Sequence, residues 1–225
     1  MWPCSADALV ARQLELAQAT PPPWLPAPGY DVGGCFVCFP RGPTGAGAAG
    51  DPAWAAAAGH ATCVVVTGAA GAPFEPGMLA LREGPLLAQA VTALPAPPEV
   101  LLVNASGRDH PRRAGLALQL GAVLGIPTVG VTHRPLLARG GWPEERRGAT
   151  STLAIDVEPV AAWLRTRAGA RPLVVHPGWR TDLPTAVAVV ARAARRARTP
   201  EPLRLARRAA RTARAATGAD ARGRG

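Results

Sequence analysis

Val100-Leu101-Leu102-Val103-Asn104, bounded by Pro97-Pro98 before it and Ser106-Gly107 after it, is the stretch on which the fold turns. A short apolar run between turn-forming residues predicts a strand buried on both faces. On its C-terminal side, Arg112–Leu124 reads as an apolar helix and Pro127–Val131 as a second buried strand. Strand, helix and strand make a β-α-β unit, so this part of the sheet is expected to be parallel.

On its N-terminal side the pattern is different. Tyr30–Phe39, Ala53–Ala58 and Ala61–Thr67 read as three strands. The Gly-rich stretch Arg41–Gly50 joins the first two and Gly59 turns the second into the third, an antiparallel meander. Ser5–Ala19 reads as a capped amphipathic helix, and Met78–Ala93 as a helix after Pro73-Phe74-Glu75-Pro76-Gly77. Toward the C-terminus, short strands are predicted at Thr152–Ile155, Val160–Leu164 and Pro172–His176, then helices at Asp182–Arg198 and Glu201–Ala216. No repeat and no linker divides this series. The expectation is one mixed α/β domain over residues 1–216, with a disordered basic tail over 217–225.

Composition bounds the function classes. The chain has 225 residues, 48% apolar, enough for a real core. No stretch approaches the roughly 18 apolar residues of a membrane span. Met1–Asp7 carries neither a basic cluster nor an apolar run, so the expected location is cytoplasmic. Cys4, Cys35, Cys38 and Cys63 are then expected reduced. Cys35-x-x-Cys38 with His60-x-x-Cys63 also resembles a zinc set. Residues three apart on a strand point to opposite faces, which argues against it. The net charge is +10, and all 25 basic residues are Arg, whose guanidinium can grip phosphate bidentately. Eleven lie from Arg192 to Arg224, either as a solvated tail or as a sequence-independent nucleic-acid contact.

Three places could carry chemistry. Asp31 stands at the opening strand, Glu83 follows Arg82 in a helix, and Asn104 ends the buried strand, followed by Arg108, Asp109, His110, Arg112 and Arg113. Polar groups at the carboxyl end of a buried parallel strand are a common site, and acids on adjacent strands can hold Mg²⁺. The plainer alternatives are a turn residue at Asp31, an ion pair between Glu83 and Arg82, and a solvated helix start at Arg108, Arg112 and Arg113.

Pro73-Phe74-Glu75-Pro76-Gly77 through Leu81-Arg82-Glu83-Gly84-Pro85 resembles the endonuclease V pattern of Pro-Tyr-x-Pro-Gly running on to Phe-Arg-Glu. Leu101–Asn104, Gly107–Ala117, Ile126–Val131, Pro177-Gly178 and Pro200-Glu201-Pro202 follow in that family's order, and Gly29-Tyr30-Asp31 matches its opening strand. The resemblance implies a ribonuclease H-like fold, and the expected state is a monomer. It also implies Mg²⁺-dependent (or Mn²⁺-dependent) cleavage of a phosphodiester near a deaminated base such as inosine, in DNA or RNA. Asp31 and Glu83 would hold the metal, with Asn104 as a third, weaker ligand. Pro73, Phe74, Glu75 and Pro76 would form a wedge beside the lesion, and Gly107 to His110 would border a pocket for a flipped base. Arg112, Arg113, His133 and the C-terminal Arg would meet phosphate.

The same resemblance marks departures. The family has Asp at Asn104, His at Trp179, Lys at His133 and Tyr at Phe74. Asn brings no charge to a metal, and Trp offers one donor and no titration near neutrality. Asp109, His176 and Asp182 are the neighbours that could compensate. A second reading follows, a relative that binds nucleic acid and cuts poorly or not at all.

Overall fold

The computed structural model describes residues 2–40 and 47–222. An eight-stranded mixed sheet runs in the order β3-β2-β1-β4-β5-β8-β7-β6. β1 (Val32–Cys38), β2 (Pro52–Ala58) and β3 (Cys63–Ala69) form the expected antiparallel meander. β4 (Val100–Val103) lies parallel to both β1 and β5 (Thr128–Thr132), with α3 (Leu116–Leu124) as the crossover. β6 (Thr150–Ile155), β7 (Glu158–Leu164) and β8 (Leu173–Pro177) complete the sheet antiparallel.

The period-two alternation of side chains decides which helices cover each residue. Leu101 and Val103 join one core with α1 (Ala6–Gln18), α2 (Leu79–Thr92) and α3. Val100 and Leu102 join the opposite core with α4 (Leu183–Ala193). Ala53–Ala58 divides in the same way. Ala53, Ala55 and Ala57 face α2, while Trp54, Ala56 and Ala58 face Ala206 and Ala210 of α5 (Glu201–Arg222). Alanine favours helix, but a strand pressed between two helices takes small side chains on both faces. Cys35 and Cys38 likewise enter different cores, and all four cysteines are free.

α5 comes unusually close to the sheet. A Cβ at Gly34 would stand 2.6 Å from the Pro202 carbonyl carbon and 2.7 Å from Leu203 N, so glycine there makes the approach possible.

Strand ends shift by a residue or two, and three helix boundaries differ by more. α3 starts at Leu116 rather than Arg112, because Arg113 adopts φ 56° and Gly115 is the N-cap. α4 ends at Ala193, and Arg198 beyond it donates to the carbonyls of Arg171 and Pro172. α5 continues through Arg222, as its Ala and Arg content favours. Residues 41–46 of the Gly-rich loop and 223–225 of the expected tail lie outside the described residues. Among the described residues, no helix is long and apolar enough to cross a membrane.

Candidate nucleic-acid site

Asn104 follows β4 at the carboxyl end of a buried parallel strand. The register sets Cys35 beside Val103, so the β1 residue next to Asn104 is Phe36. Arg207 of α5 reaches both. Its Nη2 donates to Asn104 Oδ1 at 3.4 Å, and its guanidinium carbon lies 5.1 Å from the Phe36 ring centre. Arg211, one turn on, lies 5.9 Å from the same ring. A cation over an aromatic face is favourable, but Arg207 Nε remains buried with no hydrogen-bond partner among the described residues. Burial, and then the Arg211 charge, lower the Arg207 pKa. His133 follows β5 at the same end of the sheet, and its pKa is lowered by burial and by Arg198 and Arg207.

Asp31 stands apart from this group. Its carbonyl accepts from Val100 N at the start of β4, its N–H donates to Glu99, and its Oδ1 lies 3.7 Å from His60 Nδ1. Five residues of strand separate it from Phe36, about 16 Å at the usual rise. The structure thus corrects the expectation that Asp31 shares a metal with Asn104, because parallel pairing of β1 and β4 puts them at opposite ends.

Glu83 sits on α2 at the Asn104 end; burial, and then the nearby Glu83, raise the Cys35 thiol. Burial pushes the Glu83 carboxyl up to about 7, against the pull of Arg82. Arg82 is not its ion-pair partner. That buried guanidinium bonds to Asp51 and to the carbonyls of Ala48 and Ala72, and lies 4.1 Å from the Phe39 ring centre. Glu83 and Phe74 border a common cavity of about 340 Å³ with Phe39 and Asp51.

The expected wedge and the expected base-pocket loop are joined. Phe74, within Pro73 to Pro76, is 46% exposed at the tip. Gly77 follows at φ 81°, and its carbonyl accepts from Gln13 Nε2, His110 Nε2 and Arg112 Nη2. Arg112 Nε also donates to Gln13 Oε1. His110 Nδ1 accepts from Arg112 N, and burial lowers its pKa to about 4, so the ring works as a neutral strut. Arg113 pairs with Glu158 at 3.4 Å. Of the two arginines expected on phosphate, Arg112 is occupied in holding these loops, while Arg113 is turned to Glu158 of β7 and its Nη1 is buried with no hydrogen-bond partner among the described residues. Glu75 turns the chain through its carbonyl, which accepts from Met78 N, and Gly107 packs against Pro177.

The possible compensators are engaged elsewhere. Asp109 is buried and accepts from the backbone N–H groups of Leu136, Leu137 and Ala138. His176 is buried against Thr132, with its pKa lowered by burial. Asp182 caps α4 through Thr185 N. Trp179 packs beside Leu16, Ala114 and Leu118. Phe36 was not singled out by sequence, and Arg207 and Arg211 entered only as members of the C-terminal Arg group. The signal available for the arginines was spacing, since positions 204, 207, 208 and 211 recur at helical intervals.

The endonuclease V family model matches residues 53–208. The chain belongs to the endonuclease V family. That family is one of nucleic-acid-binding endonucleases of DNA repair, and its nucleases are generally metal-dependent. Endonuclease V of Methanopyrus kandleri is 45% identical over 131 residues, covering 58% of this chain and 56% of that protein. The matched stretch thus spans about half the length of the curated relatives. The endonuclease V structure from Streptomyces avermitilis superposes with a TM-score of 0.82 at 31% identity, over 96% of both chains. A Ciona intestinalis endonuclease V in complex with DNA containing an inosine shares the fold at TM-score 0.74 and 19% identity, covering 92% of this chain and 95% of that one. The endonuclease V match begins at Ala53 and leaves β1, with Phe36, outside it.

The metal that the family implies does not fit the residues present. Among the described residues, no three His, Cys, Asp or Glu side chains gather where they could hold an ion. A divalent cation needs hard anionic oxygen. Here Asn104 is neutral, its β1 neighbour is Phe36, and a guanidinium already lies against both. Glu83 is only partly ionised at neutral pH.

Proposed function

We propose that this chain performs an endonuclease V-type task, engaging DNA or RNA at a deaminated base such as inosine. It would act as a cytoplasmic monomer. The carrying observation is the Gly77 carbonyl, whose three donors clamp the Phe74 tip to the loop ending at His110. A base lifted from the stack needs a wedge and a pocket held in fixed relation, and the Ciona complex shows a relative with inosine-containing DNA. Phosphodiester hydrolysis with Mg²⁺ or Mn²⁺ is the chemistry the family brings, and Glu83 is the acid that remains for it. A specific observation favours a second reading, engagement without efficient cutting. Arg207 places positive charge on Asn104 and Phe36.

The test is an inosine oligonucleotide incubated with Mg²⁺ and then Mn²⁺, beside Glu83→Gln, Asn104→Asp and the double variant Phe36→Asp with Asn104→Asp. The expected result is retention of the oligonucleotide with little cutting by the unmodified chain. Asn104→Asp alone should change little, and cutting should rise in the double variant. Rapid cutting by the unmodified chain that is lost in Glu83→Gln would establish the hydrolytic reading. No preference for inosine over guanine would overturn the proposal.

A further inference from the structure

The groups around Asn104 leave positive charge without a counter-charge. Arg207 Nε is buried without a partner, its Nη2 makes a long bond to a neutral amide, and its pKa is lowered by burial and by Arg211. Arg207 and Arg211 stand four apart on one helix, where like charges repel. Both lie toward Phe36, which supplies a polarisable face and no counter-charge. Arg208 and Arg211 form no ion pair or hydrogen bond among the described residues, whereas Arg204 is paired with Glu201. Arg207, Arg208 and Arg211 line one groove of about 470 Å³ along α5. His133 adds two ring nitrogens at the same end of the sheet. Glu201 lines the same groove but is paired with Arg204. Fixed cations held close together with no carboxylate of their own are costly alone and suited to a phosphate, which a guanidinium fork can meet with two hydrogen bonds.

We propose that Arg207, supported by Arg211, receives a backbone phosphate of the nucleic acid where the family resemblance puts a divalent cation, so that this chain grips nucleic acid without metal. The arginine then takes over the charge neutralisation that the cation gives in binding. It supplies no activated water, which agrees with engagement that outlasts cutting. The proposal rests on the nucleic-acid reading above and extends it to the means of holding the backbone.

The experiment is fluorescence anisotropy of labelled oligonucleotides carrying inosine or guanine, as DNA and as RNA, in EDTA and in Mg²⁺. The proteins are the unmodified chain, Arg207→Gln, Arg207→Lys and Arg211→Gln, each with its melting temperature measured. The expected result is equal affinity in EDTA and Mg²⁺. Arg207→Gln should bind about tenfold more weakly to inosine and guanine probes alike, with a salt slope shallower by about one. Arg207→Lys should recover part of the loss, since it keeps the charge and loses the fork. Binding that requires Mg²⁺ would overturn the proposal, as would unchanged affinity and salt slope in both Arg→Gln variants. Loss of binding matched by a large fall in melting temperature, with Arg211→Gln unchanged, would reduce Arg207 to a packing role and also overturn it. Arg207-dependent binding without inosine preference would remove the base-recognition reading and leave this one standing. Inosine preference with no dependence on Arg207 or Arg211 would do the reverse.

Discussion

Glu83 holds a proton more tightly in the fold than in the unfolded chain, because burial raises its carboxyl from 4.5 to about 7. Between those values the unfolded chain has released the proton and the folded chain has not. Stability therefore falls as pH rises through that window, by a ceiling of about 3 kcal/mol once the folded carboxyl ionises. Glu83→Gln removes this loss. Its melting temperature should exceed that of the unmodified protein above about pH 8, with the difference vanishing below about pH 4.5. An unchanged difference across that range would mean the carboxyl is not buried as described. Asp31 shows what local reading misses at this scale. An acid beside a predicted strand was legible. Its distance from Asn104 was not, because strand register is a long-range property set by the pairing of Val32 with Val100. Phe36 was hidden for the same reason, reading as an ordinary apolar strand residue.

Elements were more legible because their signals are local. The buried run at Val100–Val103, the turn at Gly59 and the Ser5 cap each announce themselves within a few residues, and each is found. The start of α3 was overrun because the left-handed turn at Arg113 is imposed from outside, by Arg113 reaching Glu158 and by His110 and Arg112 reaching Gly77. The docking of α5 on β1 is also non-local, and it yields a prediction. Gly34→Ala would drive a Cβ into the backbone at Pro202 and Leu203, atoms with no rotamer by which to yield. The helix must lift, costing about 2 kcal/mol or more, and Arg207 should leave Asn104 with it. Thermal unfolding should record the destabilisation, and metal-free oligonucleotide binding should weaken alongside it. Full stability in Gly34→Ala would show that α5 is not seated so closely.

For the whole molecule, a charge of +10 carried entirely by arginine suggests a surface sticky toward phosphate on every side. The structure distributes those arginines otherwise. Arg82, Arg165 and Arg198 are spent on backbone carbonyls, Arg192 on Tyr30, and Arg12, Arg113 and Arg146 on nearby acids. A guanidinium so held keeps its charge but has few donors left to give. Among the described residues, arginines without such partners also occur singly at Arg134, Arg139, Arg167 and Arg171, but Arg207, Arg208 and Arg211 stand together along α5, with Arg195 and Arg196 lining the neighbouring groove. Each phosphate contact contributes a slope of about −0.9 to the dependence of log affinity on log salt. One face offering these groups predicts a slope of about −3 to −5, where a uniformly engaged +10 surface would approach −9. Replacing Arg207, Arg208 and Arg211 together by Gln should then remove more than half of the slope, although the net charge falls only from +10 to +7, that is 10 − 3. A slope that fell merely in proportion to net charge would mean that the arginines act as a diffuse field, and that the α5 face has no privileged role.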